Sequence, residues 1–145
     1  MHSYFDYFLG AWFIDRCISD GSSMRGQALF TPSSTTEKHL FYAEHGTHEG
    51  PFGVLDFFKN YIYEIKSPHS FSLYFAAHEQ KGEHFMTFDG PLGSALTAEH
   101  MCEKDIYQGT FQRLGDRDFV MSYNVRGPKK DYSIITHCTR MHPHR

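Results

Sequence analysis

The residue types best suited to chemistry cluster in the last third of the chain. Four of them fall within eight positions: His100, Cys102, Asp105 and Tyr107. Side chains of these types serve as general acids and bases, as nucleophiles and as metal ligands. Alternating apolar and polar residues follow the cluster and run into a turn sequence at Gly127-Pro128. Two alternating strands joined by such a turn predict an antiparallel hairpin, so a β-sheet must position these groups.

A metal site is one interpretation of the cluster. Residues two apart on a strand point to the same face, which makes His100 and Cys102 candidate ligands with Asp105 close by. Zinc usually takes four ligands in recognised pairs, so His84 or His137 would have to approach. The alternative is a strand end where His100 and Asp105 bond to local backbone and Cys102 is a small buried apolar residue. We assign no metal and no cofactor from the sequence.

An enzyme is a second interpretation. Attack by Cys102 with His100 as base is hard to arrange, because residues two apart on one strand are about 6–7 Å apart at their side-chain bases. Proton transfer by His100 with Tyr107 or Asp105 stays open. The chain contains no Gly-x-Ser-x-Gly, no phosphate-binding glycine loop and no dinucleotide fingerprint. Whether the protein is an enzyme is therefore left open.

Length and composition predict one β-rich domain, residues 1–145. The aromatic share is 17%, carried by 14 Phe and 9 Tyr, and these residues suit pleated, half-buried surfaces. The formal net charge is −3 with histidine neutral, so there is no basic field to hold a phosphate backbone, and nucleic acid is not expected as a partner.

Cysteine usage and hydropathy bear on the compartment. Cys17, Cys102 and Cys138 are an odd number at wide spacing, which favours reduced thiols over a disulfide framework. The sequence shows neither a secretory signal nor eighteen successive apolar residues, so we expect no membrane span and a cytoplasmic location.

Periodicity predicts a short helix at Tyr4–Leu9 followed by about ten strands. The expected strands are 11–19, 26–30, 39–45, 54–66, 71–76, 84–89, 95–102, 105–113, 118–126 and 131–140. Turn signals every 8–12 residues are typical of an all-β sandwich or barrel. We expect a closed antiparallel up-and-down barrel of about 8–10 strands, whose interior is filled or holds one small ligand.

Alternation predicts which side chains share that interior. If Trp12 faces inward, so does Arg16, and His84 is in phase with Met86 and Phe88. The resulting ligand-binding set joins polar groups to aromatic walls: Arg16, His84, His100, Tyr107, Tyr123 and Tyr132. Such a lining suits a largely apolar ligand with one anionic or carbonyl group. An inward Arg16 without a facing carboxylate is costly, and a ligand carboxylate would relieve that cost.

Two sets of residues carry a resemblance to known families. Gly10-Ala11-Trp12 after the helical segment, with Arg140 in the last strand, is similar to the lipocalin and fatty-acid-binding (calycin) pattern. That resemblance implies that Trp12 packs at the closed end of the barrel beneath the guanidinium of Arg140, a cation–π contact.

The chain also resembles a family of small uncharacterised calycin-like domains. The shared motifs are Leu-Gly-x-Trp with a following Arg, His-x-Cys-x-x-Asp-x-Tyr and Gly-Pro-x-Lys-Asp-Tyr. Here they are Leu9, Gly10, Trp12 and Arg16; His100, Cys102, Asp105 and Tyr107; and Gly127, Pro128, Lys130, Asp131 and Tyr132. The chain departs from the pattern at Tyr123, where Trp is expected. The resemblance implies a fold and carries no activity.

The leading functional hypothesis is binding of a small hydrophobic or amphipathic molecule inside the barrel. The alternatives are a small enzyme that uses the His, Tyr and Asp groups for acid–base chemistry, and a filled scaffold that acts through its surface or as a homodimer. The sequence leaves these three open.

Overall fold

The structure, a computed structural model, describes residues 3–33, 38–78, 80–91 and 93–141. Within these ranges it contains one helix, α1 (Tyr4–Phe8), and ten strands. The strands are β1 (Gly10–Ile18), β2 (Ser23–Pro32), β3 (His39–Gly50), β4 (Gly53–Ser67), β5 (Ser70–Ala77), β6 (Gln80–Asp89), β7 (Ala95–Cys102), β8 (Asp105–Gly115), β9 (Asp118–Gly127) and β10 (Lys130–Arg140). The predicted helix and strands are confirmed, and β3 extends five residues further than the sequence indicated.

Successive strands pair as antiparallel hairpins, and β1 also pairs with β10. The order around the sheet is β6-β5-β4-β3-β2-β1-β10-β9-β8-β7, so the barrel closes except for a seam between β6 and β7. The predicted all-β, up-and-down barrel is confirmed. No helix in the described ranges is long and apolar enough to cross a bilayer.

Side chains rather than backbone hydrogen bonds close the seam. The ring of Phe85 on β6 lies 5.2 Å from His100 on β7 and 5.8 Å from Tyr107 on β8, centroid to centroid. Further along the seam, Met86 packs directly over Gly109. A Cβ atom at position 109 would collide with the sulfur of Met86. A glycine at this position thus lets β6 approach β8.

Helix α1 plugs one end of the barrel. Tyr4 and Phe8 are fully buried among rings of the surrounding strands. Trp12 Nε1 donates a hydrogen bond to the Phe8 carbonyl at 2.8 Å, and the Arg140 guanidinium lies 4.2 Å from the Trp12 ring. The predicted stacking of Arg140 on Trp12 at the closed end is confirmed.

The opposite end is the open one. Because the strands alternate in direction, the β1–β2, β3–β4, β5–β6, β7–β8 and β9–β10 turns all lie away from α1. These five turns form the rim of the barrel. Interior side chains between the plug and this rim are therefore the ones that a molecule from solution can reach.

Candidate functional site

A cavity of about 390 Å³ lies in the barrel between the aromatic plug and the rim. Five of the six predicted ligand-binding residues line it: Arg16, His100, Tyr107, Tyr123 and Tyr132. They come from β1, β7, β8, β9 and β10, so the closure of the sheet brings together groups that are up to 116 positions apart in sequence. The prediction that they share one enclosed space agrees with this geometry.

The sixth residue, His84, lies outside the cavity. Leu73 pairs with Met86 whereas Tyr74 pairs with His84, so Phe85 is an extra residue in a β-bulge. The bulge reverses the alternation, which turns Phe85 inward and leaves His84 exposed with Nε2 2.7 Å from Thr87 Oγ1. The prediction that His84 shares the inner face with Met86 is wrong for this reason.

Arg16 is paired with a carboxylate of the protein itself. Its Nη1 donates to Glu44 Oε2 at 2.7 Å and its Nη2 to Glu44 Oε1 at 2.9 Å, a bidentate pair. Its Nε donates to Thr136 Oγ1 at 2.7 Å. Burial alone would lower the pKa of Arg16, but the hydrogen bonds and the charge of Glu44 raise it above its usual value. A facing carboxylate is thus present, and Arg16 needs no ligand carboxylate to offset the cost of its burial.

Glu44 is the main residue that sequence reasoning missed. Only 2% of its side chain is exposed, and it also accepts a hydrogen bond from the Tyr42 hydroxyl at 2.5 Å. The signal was present in the alternation of Leu40, Tyr42 and Glu44 along β3, which places all three on the inner face. The alternation did not show that only β2 separates β3 from β1 in the sheet, which brings Glu44 within reach of Arg16.

Several cavity-lining phenols, including those of Tyr63 on β4 and Tyr123 on β9, have no hydrogen-bond partner in the part of the chain that the structure describes. Sequence reasoning also missed Tyr63. Burial raises the pKa of the Tyr63 and Tyr123 hydroxyls well above the usual value. Both groups therefore remain protonated and can donate hydrogen bonds into the cavity.

The cavity carries no net charge from its permanently charged side chains. Arg16 and Glu44 neutralise each other in the wall, and Lys59 and Glu83 stand nearer the rim. The remaining lining is mainly aromatic and aliphatic, with Phe85 in contact with Tyr61, Phe75 and Tyr123. The arrangement is that of an apolar, electrically balanced chamber with a few hydrogen-bond donors.

The groups proposed for acid–base chemistry are separated in the structure. His100 faces Tyr107 across the β7–β8 pair, but as an edge-on ring contact at 5.9 Å. Asp105 instead binds Lys130 Nζ at 2.9 Å, and Lys130 Nζ also donates to the Tyr107 hydroxyl at 3.3 Å. Asp105 also lies so close to Gly127 that a Cβ there would collide with it. These residues lock two neighbouring rim turns together.

The three cysteine thiols differ in their exposure to solvent. Cys17 and Cys102 are exposed and Cys138 is buried, where burial raises the pKa of the Cys138 thiol to about 12. Within the described ranges, no three His, Cys, Asp or Glu side chains are grouped so as to hold a metal ion. Cys102 lies at the cavity wall, and His100 beside it meets the rings of Phe85 and Tyr107.

Solved structures with a similar fold are small β-barrels. The S-type phycobiliprotein lyase CPES from Guillardia theta superposes with a TM-score of 0.64 at 5% identity, covering 97% of this chain and 92% of that one. A fluorescence-activating β-barrel designed de novo superposes with a TM-score of 0.56 at 15% identity, covering 97% of this chain and 100% of that one. The redesigned barrel mFAP1, solved with DFHBI bound, has a TM-score of 0.55 at 14% identity, covering 96% of this chain and 100% of that one. At these identities the likeness concerns the fold.

Sequence comparison gives a family without an assigned activity. No curated protein matches the chain significantly. Residues 8–140 match a family defined by sequence, and this range holds all ten strands and the whole cavity lining. The chain therefore belongs to the family of unknown function DUF6314.

Proposed function

We propose that this protein binds a small, neutral, largely apolar molecule inside the barrel and that the molecule carries a hydrogen-bond acceptor such as a carbonyl. The observation that carries the proposal is the cavity of about 390 Å³ lined by the buried Tyr63 and the partly buried Tyr123, whose hydroxyls have no partner among the described residues. Ligand cavities of about 300–1,000 Å³ with apolar walls and a few convergent polar groups are typical of small-molecule sites.

The polar groups favour an acceptor on the ligand. The hydroxyls of Tyr63 and Tyr123 have no hydrogen-bond partner among the described residues, and a ligand carbonyl placed between them would accept from both donors. Tyr132 and His100 line the same space and complete the proposed binding set with Tyr107 and Arg16. Arg16 acts here by holding Glu44 and the wall rather than by binding an anion.

The charges favour a neutral ligand. Because Glu44 already neutralises Arg16, a ligand carboxylate would enter a low-dielectric space beside another carboxylate, which is unfavourable. The barrel mFAP1 was solved with DFHBI bound, which supports small-molecule binding as a use of this architecture. The free thiols of Cys17, Cys102 and Cys138 support the cytoplasm as the proposed compartment.

A bulky side chain in the cavity should block binding. Ile134 lines the cavity, whereas its neighbour Ile135 points outward and is 53% exposed. Ile134→Trp should weaken binding of Nile red, a neutral apolar dye with a carbonyl, at least tenfold, and Ile135→Trp should leave it within twofold. Fluorescence titration gives the affinities, and native mass spectrometry of freshly purified protein shows whether a co-purified molecule is lost from the first variant alone.

Equal loss in the two variants, or no dye binding by the wild type, would contradict the proposed site. The charge of the probe gives a further check. The anionic dye 8-anilinonaphthalene-1-sulfonate should bind more weakly than Nile red, and a preference for the anion would reject the neutral-ligand assignment.

Removing the hydroxyls of Tyr63 and Tyr123 should lower the affinity for the ligand without lowering the stability of the protein. The double variant Tyr63→Phe, Tyr123→Phe loses two donors worth about 0.5–1.5 kcal/mol each, so Nile red affinity should fall about tenfold or more. The free energy of unfolding without ligand should change by less than about 1 kcal/mol, because neither hydroxyl has a hydrogen-bond partner to lose among the described residues. Urea denaturation measures the stability, and a large loss of stability would show that the hydroxyls have protein partners.

A further inference from the structure

The β3–β4 hairpin exposes an unpaired strand edge beside the cavity mouth. β3 is paired with β2 as far as Glu49, but β4 pairs with β5 only from Tyr61 onward. In the described ranges no strand pairs with the outer edge of Gly53–Asn60, which we call the β4 edge. Its outward N–H and C=O groups are a template for another extended chain.

Apolar side chains flank this edge. Val54, Leu55 and Phe58 are 61%, 70% and 81% exposed, and Phe52 in the adjoining turn is fully exposed. Val54 and Phe58 share one face of β4 and Leu55 lies on the other, so exposed apolar side chains cover both faces of this short hairpin. The surface loses water contact only if something covers the hairpin.

The β4 edge also lacks the features that normally discourage association. It contains no proline and its ladder with β3 has no bulge, and its single lysine, Lys59, lines the cavity. The other two strand edges, on β6 and β7, lie beside each other at the seam and carry charged residues such as Lys81, Glu83 and Glu99. Among these three edges, β4 is the unprotected one.

We propose that the β4 edge pairs with the β4 edge of a second copy of this chain in an antiparallel, two-fold symmetric dimer. Unpaired backbone groups need polypeptide partners, which a bilayer does not supply, and an antiparallel strand pair is self-complementary about a two-fold axis. The edge carries one acidic and one basic residue, Asp56 and Lys59, so its net charge is zero and two copies do not repel each other. The proposal depends on the fold and not on the ligand in the cavity.

Sedimentation equilibrium on the full chain tests the dimer. At tens of micromolar the wild type should give twice the monomer mass of 16.9 kDa. The double variant Val54→Lys, Phe58→Lys should be monomeric, since lysine on an edge opposes pairing. The matched control is Leu29→Lys, Ile135→Lys, which changes two exposed apolar residues, 47% and 53% exposed, on strands paired at both edges, and it should remain dimeric.

Hydrogen exchange tells backbone pairing from simple apolar contact. In the wild-type dimer the outward amides of Gly53–Asn60 should exchange at least tenfold more slowly than in the lysine variant. A monomeric wild type, a dimer that survives both edge lysines, or unprotected edge amides in the dimer would overturn the proposal. So would a monomer that binds phosphatidylcholine vesicles through Val54 and Phe58, which would make this edge a membrane contact.

Discussion

Glu44→Gln is expected to lower the free energy of unfolding by about 3–5 kcal/mol, because it leaves the charge of Arg16 without a counter-ion in a largely buried place. The two side chains are 14% and 2% exposed and share two hydrogen bonds. Glutamine keeps the shape of the wall but accepts through one oxygen only, so the loss combines the missing charge with one missing hydrogen bond. Urea unfolding with an unchanged m-value measures it.

Two variants sharpen that measurement. Asp15→Asn removes one partner of the Asp15–Arg25 pair, in which both side chains are more than 60% exposed, and should change stability by less than about 0.5 kcal/mol. Arg16→Met with Glu44→Leu removes both buried charges and should recover most of the loss. A loss below about 1 kcal/mol in Glu44→Gln would show that solvent reaches the pair.

The same substitution should change the preference of the cavity. With Glu44 neutral, Arg16 becomes an unpaired cation that can meet an anionic ligand. Glu44→Gln should therefore bind 8-anilinonaphthalene-1-sulfonate more tightly than the wild type does, while Nile red affinity changes less. No gain for the anion would contradict the assignment of Glu44 as the residue that keeps the site neutral.

Phe8→Ala is expected to cost about 3–5 kcal/mol of unfolding free energy, the range for truncating a fully buried phenylalanine. Phe8 is fully buried at the centre of the plug. Seven aromatic rings of the described residues lie within 6.0 Å of its ring, centroid to centroid: Tyr4, Tyr7, Phe30, Tyr63, Phe71, Phe111 and Phe119. Thermal and urea denaturation measure the change.

The control for the plug is Phe58→Ala. Phe58 is 81% exposed, so the same chemical change there should alter monomer stability by less than about 0.5 kcal/mol. Because the Phe8 ring lies 5.3 Å from that of Tyr63, which lines the cavity, the Phe8→Ala variant should also deepen the cavity toward α1. A loss below about 1.5 kcal/mol in that variant would mean that neighbouring rings collapse into the space.

Local sequence patterns predicted the strands and the helix well, because the alternation of apolar and polar side chains in a strand can be seen in consecutive residues. The ten strands, the short helix and the inward set of Arg16, His100 and Tyr107 all follow from local periodicity. The contact between Trp12 and Arg140 was predicted by a resemblance to known barrels rather than by periodicity. It depends on the pairing of the first strand with the last.

The prediction of the inward side chains failed where one extra residue in a strand reverses the alternation of its two faces. The bulge at Phe85 inserts a single extra position in β6 and so exchanges the faces of His84 and Phe85. Nothing in the run from His84 to Phe88 distinguishes the bulged strand from a regular one, since either face offers apolar residues to the core. Pairing with β5 decides it, and that is a tertiary property.

By itself the sequence determined a ten-stranded antiparallel barrel and most of the side chains that face its interior, because alternation and turn chemistry act between near neighbours. Only the tertiary structure decided that Glu44 meets Arg16, that Tyr63 and Tyr123 face the cavity unpaired within the described residues, that the seam falls between β6 and β7, and that part of β4 has a free edge. Those outcomes depend on strand register and on where the sheet closes, and they join residues too far apart for any local pattern to relate.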